Sequence, residues 1–205
     1  LYMNTPTAIG IIMDGNRRWA KMHSFPSHEG HRVGYEKFKD ILSWMKDAGI
    51  KNAIVYALST ENLKRSEQEV SYLFDLFRTV IRERMHEVAN EQVRVIFAGN
   101  RSLFPEDLNR MAYQLEEKTA TFTEHTLVIA APYGGRAEIV SAVNRAIEKG
   151  NEVTEDEFNS LLWTRDVSDP ELIIRTGGEK RLSNFLPWQS TYAELFFTKT
   201  LWPDF

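Results

Sequence analysis

The sequence predicts an α/β fold in a single domain, residues 1–205, with a central, mostly parallel sheet of six strands flanked by helices. Three observations carry that reading. Short apolar runs alternate with longer segments of helical periodicity. The runs are close to continuously apolar, as strands covered on both faces are. And 205 residues with 42% hydrophobic and 26% charged side chains form an ordinary globular balance, long enough to bury a core without staples.

In chain order the strands are expected at 8–13, 53–58, 93–98, 127–131, 172–174 and 195–197. Helices are expected at 34–48, 67–89, 105–120, 136–148, 154–162 and 184–190. Ser66 with Glu69 reads as a capping box opening the second helix, and Gly49 and Gly150 stand where helix C-terminal glycines belong. The helix over 70–88 carries Val70, Leu73, Phe74, Leu76, Phe77, Val80 and Ile81, with Met85 and Val88 beyond, an apolar face wider than the ~100° stripe that covers a sheet. Such an excess lines a cavity for a hydrocarbon tail, or else is core or a dimer surface.

Composition removes several function classes. There is no cysteine, so disulfides, Cys-ligated zinc, iron–sulfur clusters and thiol nucleophiles are excluded. A formal net charge of −4 does not describe a nucleic-acid binder. No apolar run approaches the ~18 residues of a membrane span, and no signal peptide is visible. Gly10 and Gly15 have Walker A spacing but continue Asn16-Arg17 instead of Lys-Ser/Thr, and no G-x-G-x-x-G occurs. His28-Glu29-Gly30-His31 is one residue short of a zinc-protease motif, and Gly30 argues against a helix there, so no zinc site is assigned.

In parallel sheets the ligand lies beyond the carboxyl ends of the strands. The five corners after the first five strands each hold an arginine, and four hold glycine. A net-acidic chain that gathers cations on one edge asks for an anion, most simply phosphate. At the first corner, Arg17 and Arg18 would lie in a helix's first turn, where cations oppose the dipole unless an anion docks there. Asp14 beside that anion calls for a bridging Mg²⁺. The alternative is a surface turn of solvated charges. His31 either donates to a phosphate or is structural. Ser59, Thr60, Glu61, Asn62 and Arg65 suit a diphosphate headgroup, or form a loop capped by Ser66. Arg175, Gly177, Gly178, Arg181 and Ser183 repeat the theme, with Ser183 placed to cap the next helix; two anion sites imply two phosphorylated substrates. Glu194 is a second candidate carboxylate for a metal.

The ordered motifs Ile12-Met13-Asp14-Gly15-Asn16-Arg17-Arg18-Trp19-Ala20, Gly30-His31-Arg32-Val33-Gly34, Ser59-Thr60-Glu61-Asn62, Tyr133-Gly134-Gly135-Arg136 and Ile174-Arg175-Thr176-Gly177-Gly178-Glu179-Lys180-Arg181-Leu182-Ser183-Asn184, and then Tyr192-Ala193-Glu194 and Trp202-Pro203-Asp204-Phe205, resemble the cis-prenyltransferases over nearly the whole chain. No Asp-Asp-x-x-Asp motif of the trans-prenyltransferases occurs. The resemblance is to the bacterial undecaprenyl diphosphate synthases. It implies a homodimer with a hydrophobic tunnel and Mg²⁺-dependent condensation of isopentenyl diphosphate onto an allylic diphosphate such as farnesyl diphosphate. Each new double bond would be cis, and the product a long-chain lipid carrier precursor for cell-wall synthesis. It implies Asp14 as catalytic and Mg²⁺-binding, Glu194 as completing the metal site, and Asn62 as assisting proton removal. Gly15, Asn16, Arg17, Arg18, Trp19, Ser27 and His31 would border the allylic diphosphate; Ser59, Thr60, Glu61, Leu63 and Arg65 the reacting centre; Arg175, Arg181, Leu182 and Ser183 isopentenyl diphosphate. The protein would act in the cytoplasm, at the inner face of the membrane, without spanning it.

Four features depart from the family pattern. Ser27 stands where an Arg is usual, Leu63 where a Trp is, and Pro132 where an Asn is; the family's C-terminal helix and Arg-rich tail are expected beyond Phe205 and are not in this sequence. A short-chain synthase is the nearest alternative: small Ala57 favours an open tunnel, whereas His125 near its floor would shorten the product. A non-catalytic partner subunit would have lost Asp14, Arg175 or Arg181, all of which are present.

Overall fold

The strands Ala8–Ile12 (β1), Asn52–Tyr56 (β2), Val93–Ala98 (β3), His125–Ala130 (β4), Leu172–Arg175 (β5) and Glu194–Phe197 (β6) form one sheet in the order β3-β4-β2-β1-β5-β6. Every pairing is parallel. The computed structural model describes residues 5–150 and 152–205, the side chains of 84–90 excepted. The helices are Asn16–Met22 (α1), Ser27–Phe38 (α2), Asp40–Ala48 (α3), Glu67–Asn90 (α4), Glu106–Thr119 (α5), Gly135–Lys149 (α6) and Glu155–Asn159 (α7).

Strand periodicity of two fills both faces of the sheet. Ile9, Ile11, Ala53, Val55, Val95, Phe97, Leu127 and Ile129 point to one core, shared with Ile41 and Met45 of α3, Leu73 and Ile81 of α4, and Leu108 and Leu115 of α5. Ile12, Ile54, Ile96, Ala98, Val128 and Ile173 point to the other, which is closed by Phe185 and Leu186.

Five expectations are corrected here. The segment 34–48 is not one helix: α2 starts at Ser27, and Lys39 separates it from α3. The two helices bury different faces, α2 against α1 and α3 against the sheet. Gly30 does not oppose a helix but sits inside α2, because a Cβ there would come 2.0 Å from the Asn16 carbonyl oxygen. Close approach of α1 to α2 overrides helix propensity. Residues 184–190 form turns: Ser183, Asn184 and Leu186 have φ of 49°, 67° and 48°, so Ser183 caps no helix. The 154–162 segment shortens to α7, which carries the full capping box, Thr154 with Glu157. Of the box expected at Ser66, only the Glu69 N–H to Ser66 Oγ bond forms (3.4 Å). Met85 and Val88 lie outside the described side chains.

Candidate active site

The chain runs to one side of β1 through β2, β4 and β3, and to the other through β5 and β6, so β1 and β5 flank the point where strand order reverses. Beyond their carboxyl ends opens a cleft of about 1120 Å³. Arg17, Arg18, Lys21, Arg65, Arg175 and Arg181 line it, against the carboxylates of Asp14 and Glu61. All five arginine corners are candidates for this edge, but only the first, second and fifth converge. Arg101, at the third, turns to Glu116 and Asn109 on the far edge, and Arg136, at the fourth, is exposed.

Asp14 forms the centre of the cleft. Arg175, only 4% exposed, reaches it from the tip of β5 with Nη2 2.9 Å from Oδ2. Arg18 lies 3.3 Å from Oδ1 and donates to the Gly177 carbonyl at 2.5 Å. Arg175 Nη1 also donates to Ser183 Oγ (2.8 Å) and to the Arg181 carbonyl. The left-handed Ser183 thus serves as an acceptor for Arg175, which the turn at 183–184 makes possible. Thr176 Oγ1 donates to the Asp14 carbonyl at 2.7 Å, fixing β1 against β5.

Beside this lies the second corner. Asn62 Oδ1 accepts from the Ser59 N–H and the Asn62 N–H donates to Ser59 Oγ, both at 3.1 Å. Glu61 accepts from Asn184 Nδ2 at 3.1 Å and from Thr60 Oγ1 at 3.2 Å. Burial raises the Glu61 carboxyl, but its own backbone N–H, Asn184, Thr60 and Ser59 outweigh it and hold the group below its usual range. Tyr56, missed in the sequence, closes the floor with its hydroxyl 3.3 Å from the Ser183 carbonyl, and burial first, then Glu61, raises its pKa so that it stays protonated. Strand alternation alone places residue 56 at the tip, but not facing the cleft.

Arg17 of the first corner and Arg65 of the second share a partner, near His31, that sequence spacing assigns to a cap. Glu69 Oε1 lies 2.7 Å from Arg65 Nη1, 3.7 Å from Arg17 Nε and 3.9 Å from His31 Nε2. Burial, then the Arg65 charge, lowers the His31 pKa to about 4, with Glu69 opposing and Arg17 adding to the fall, so His31 is neutral at pH 7. Among the described residues, the buried side-chain atoms without a partner are Asn16 Oδ1, His31 Nε2, Arg175 Nε and Gln189 Oε1; the first three belong to residues of this cleft. Unpaired buried polar atoms concentrate where a ligand completes them.

Behind the polar floor an apolar cavity of about 100 Å³ continues between Ala57, Ile129 and the Leu73, Leu76, Phe77, Val80 and Ile81 face of α4. The excess apolar width of that helix is therefore cavity wall as well as core. His125 does not line this cavity; its Nδ1 lies 2.9 Å from the Ile50 carbonyl oxygen at the other end of β4.

Ser27, Ser59, Asn62 and Ser183 line the cleft with the charged groups, and Gly15 permits the turn above Asp14 at φ 118°. Five residues expected at the site do not line it. Trp19 Nε1 donates to Asp204 at 2.7 Å and its ring stacks on His23. Thr60 faces Glu61 and Gly134, Leu63 packs on the α4–α5 side of the core, and Leu182 packs on the opposite face. Glu194 pairs with Leu172 at the start of β6, whereas Arg175 pairs with Phe197 at its end. It lies about 10 Å down-strand from the cleft, at ~3.3 Å per residue, and within one chain it does not complete a metal site with Asp14. Among the described residues no group of three His, Asp or Glu side chains is placed to hold a metal. A single strand-tip carboxylate, Asp14, does fit a Mg²⁺ that takes its remaining ligands from phosphate and water.

Residues 12–205 match the family model described as putative undecaprenyl diphosphate synthase. An isoprenyl transferase of Thermotoga maritima is 46% identical, over 99% of this chain and 89% of the relative. The tritrans,polycis-undecaprenyl-diphosphate synthase (geranylgeranyl-diphosphate specific) of Methanopyrus kandleri is 42% identical over 98% and 77%. Lavandulyl diphosphate synthase from Lavandula x intermedia, crystallised with dimethylallyl diphosphate, superposes with a TM-score of 0.93 at 34% identity, covering 98% of this chain and 90% of that one. A probable undecaprenyl diphosphate synthase from Campylobacter jejuni gives a TM-score of 0.84 at 31% identity over 99% and 90%. Fold and relatives agree, and the chain belongs to the undecaprenyl diphosphate synthase family of prenyl transferases.

Proposed function

We propose that this protein is a Mg²⁺-dependent cis-prenyltransferase that condenses isopentenyl diphosphate onto an allylic diphosphate, farnesyl diphosphate, to build a long-chain cis-polyprenyl diphosphate, the lipid carrier precursor for cell-wall synthesis. One observation carries it: six cationic side chains against two carboxylates line a cleft that leads directly into an apolar cavity. That pairing suits a ligand with a diphosphate head and a hydrocarbon tail.

Arg17, Arg18 and Arg65 hold the allylic diphosphate, and Arg175, Arg181 and Ser183 hold isopentenyl diphosphate on the other side of Asp14. Breaking the allylic C–O bond adds negative charge to the leaving diphosphate, and cations already fixed there stabilise that charge more in the transition state than before it. Mg²⁺ bound to Asp14 and phosphate oxygens would neutralise the same charge. Two clamped head groups bring the reacting carbons together, and the apolar wall keeps water from the allylic cation. The new C–C bond forms at the terminal alkene carbon of isopentenyl diphosphate as the allylic C–O bond breaks, and the C2 proton passes to an oxygen of the released diphosphate, assisted by Asn62, whose Oδ1 is oriented by the Ser59 N–H.

A homodimer is part of this reading. β6 is an open sheet edge, and Tyr192, Leu195 and Phe196 on or beside it are 97%, 45% and 52% exposed. A second copy would cover them. The chain acts in the cytoplasm and delivers its lipid at the inner face of the membrane; among the described residues no helix is long and apolar enough to cross it.

A short-chain synthase is the second reading, favoured by the small cavity, which has about a tenth of the cleft's volume. Incubation with labelled isopentenyl diphosphate, farnesyl diphosphate and Mg²⁺, with sizing of the products, separates the two. Multiple additions are expected; a single addition supports the second reading, and no product removes both.

A further inference from the structure

We propose that Glu69 is a positioning residue for the allylic diphosphate: its carboxylate holds the Arg17 and Arg65 cations from behind, beside the neutral His31, and presents their free donors to the cleft. The inference rests on the allylic site proposed above.

Arg17, His31 and Arg65 line the cleft; Glu69 does not. Its side chain is 19% exposed and sits in the first turn of α4, one turn after Arg65. The three contacts join three pieces of chain: α1 through Arg17, α2 through His31, and the segment entering α4 through Arg65. All converge on one oxygen, Oε1. Arg65 spends one Nη on it and Arg17 approaches with Nε, so the guanidinium forks keep most of their donors for another anion. His31 Nε2, at 3.9 Å, is too far for a hydrogen bond and is left buried and unpartnered.

A carboxylate beside cations can either compete with an incoming anion or hold the cations for it. Placement decides between these. Glu69 stands outside the cleft wall, so a diphosphate entering from the cleft does not have to displace it. Without it, two fixed positive charges repel each other, and Arg17, with 55% of its side chain exposed, is free to turn to water. Ser66 and Glu69 read in the sequence as a cap, yet the Glu69 side chain does not return to Ser66. The half-formed box frees the carboxylate for the cleft's cations.

The test is the binding of each substrate alone, without turnover, by calorimetry on the purified protein. Glu69→Gln should weaken farnesyl diphosphate by ~10-fold while isopentenyl diphosphate changes by less than ~2-fold, with melting temperature near that of the parent. Glu69→Asp keeps the charge and should lose only ~2–3-fold for farnesyl diphosphate. Unchanged or tighter farnesyl diphosphate binding by Glu69→Gln overturns the proposal, as does an equal loss for both substrates. If Glu69→Gln does not fold, Glu69→Asp decides on the same criterion: a loss confined to farnesyl diphosphate supports the role, and no loss, or an equal loss for both, refutes it. A parent protein that binds farnesyl diphosphate but forms no product would remove the function proposed above and leave the Glu69 result standing.

Discussion

Among the described residues, two grooves of similar size can be compared, and one of the two has the chemistry of a site. The cleft beyond β1, β2 and β5 encloses about 1120 Å³; the groove along the β3 edge, between α5 and α6, encloses about 990 Å³. The groove is lined by Arg94, Arg101, Arg145 and Arg165 against Glu116, Glu117, Glu148 and Asp166, a balanced set. Its polar groups serve the fold. Glu116 accepts from the Phe97 N–H at 2.7 Å and pairs with Arg101, and Thr119 accepts from the Val95 N–H at 3.0 Å. These bonds satisfy outward N–H groups of an edge strand that would otherwise invite pairing. The cleft instead carries unbalanced positive charge and unpaired buried atoms. Volume therefore does not identify the site; uncompensated charge and unsatisfied polar atoms do.

The sharpest way to break this contrast is Asp14→Ala. Loss of the one strand-tip carboxylate between the two anion-facing groups should reduce kcat by ~1000-fold or more, with an intact fold, since metal and charge stabilisation are together worth several kcal/mol. Near-parental turnover in Mg²⁺ would deny the cleft its role. Arg175→Ala comes next. A buried charge-assisted contact of about 1.5–3 kcal/mol predicts a rise of roughly 10–100-fold in KM for isopentenyl diphosphate. The side chain of Arg181 is 61% exposed, so Arg181→Ala should raise it only a few-fold. A larger effect on the allylic KM than on that of isopentenyl diphosphate would mean that the two sites are exchanged.

Glu116→Ala tests the other groove. It strips the acceptor from the Phe97 N–H and the partner from Arg101, and should cost about 1–2 kcal/mol, a fall in Tm of ~2–4 °C per kcal/mol. Steady-state constants of the folded variant should match the parent; a selective loss for either substrate would make the β3 groove part of the site. The smallest effect is expected at Ser27→Arg. Residue 27 lines the cleft but is exposed, so a restored family arginine should tighten farnesyl diphosphate by at most ~2–3-fold. If Arg17 already fills its place, the gain should appear only with Arg17→Gly, which a double-mutant cycle resolves. No gain in either background would show that residue 27 does not face the diphosphate.

Much of this molecule is written locally in the chain. The strands from Ala8 to Phe197 are legible because near-continuous apolar runs have nowhere to go but a sheet covered on both faces, and the helices between them are legible from their period. The residues at the strand tips are legible for the same reason: in a parallel sheet, the turn after each strand lies on the ligand edge. Asp14, Arg18, Asn62, Arg175 and Ser183 are placed that way. Local sequence does not set which corners meet. Strand order puts β1, β2 and β5 side by side and sends Arg101 to the far edge, a consequence of pairings between residues more than a hundred positions apart. The α2 helix through Gly30 depends on the Asn16 carbonyl pressing against it. The turns at 183–186 depend on Arg175 and on the buried Phe185. Glu194 reads as a site residue, but strand register sets it at the start of β6, away from the cleft of its own chain. Glu69 reads as a cap until the tertiary fold brings the Arg17 and Arg65 cations and the neutral His31 to it. Local propensity and period determine which elements exist; only long-range packing decides which charged side chains share a cleft, because that depends on contacts no short stretch of chain contains.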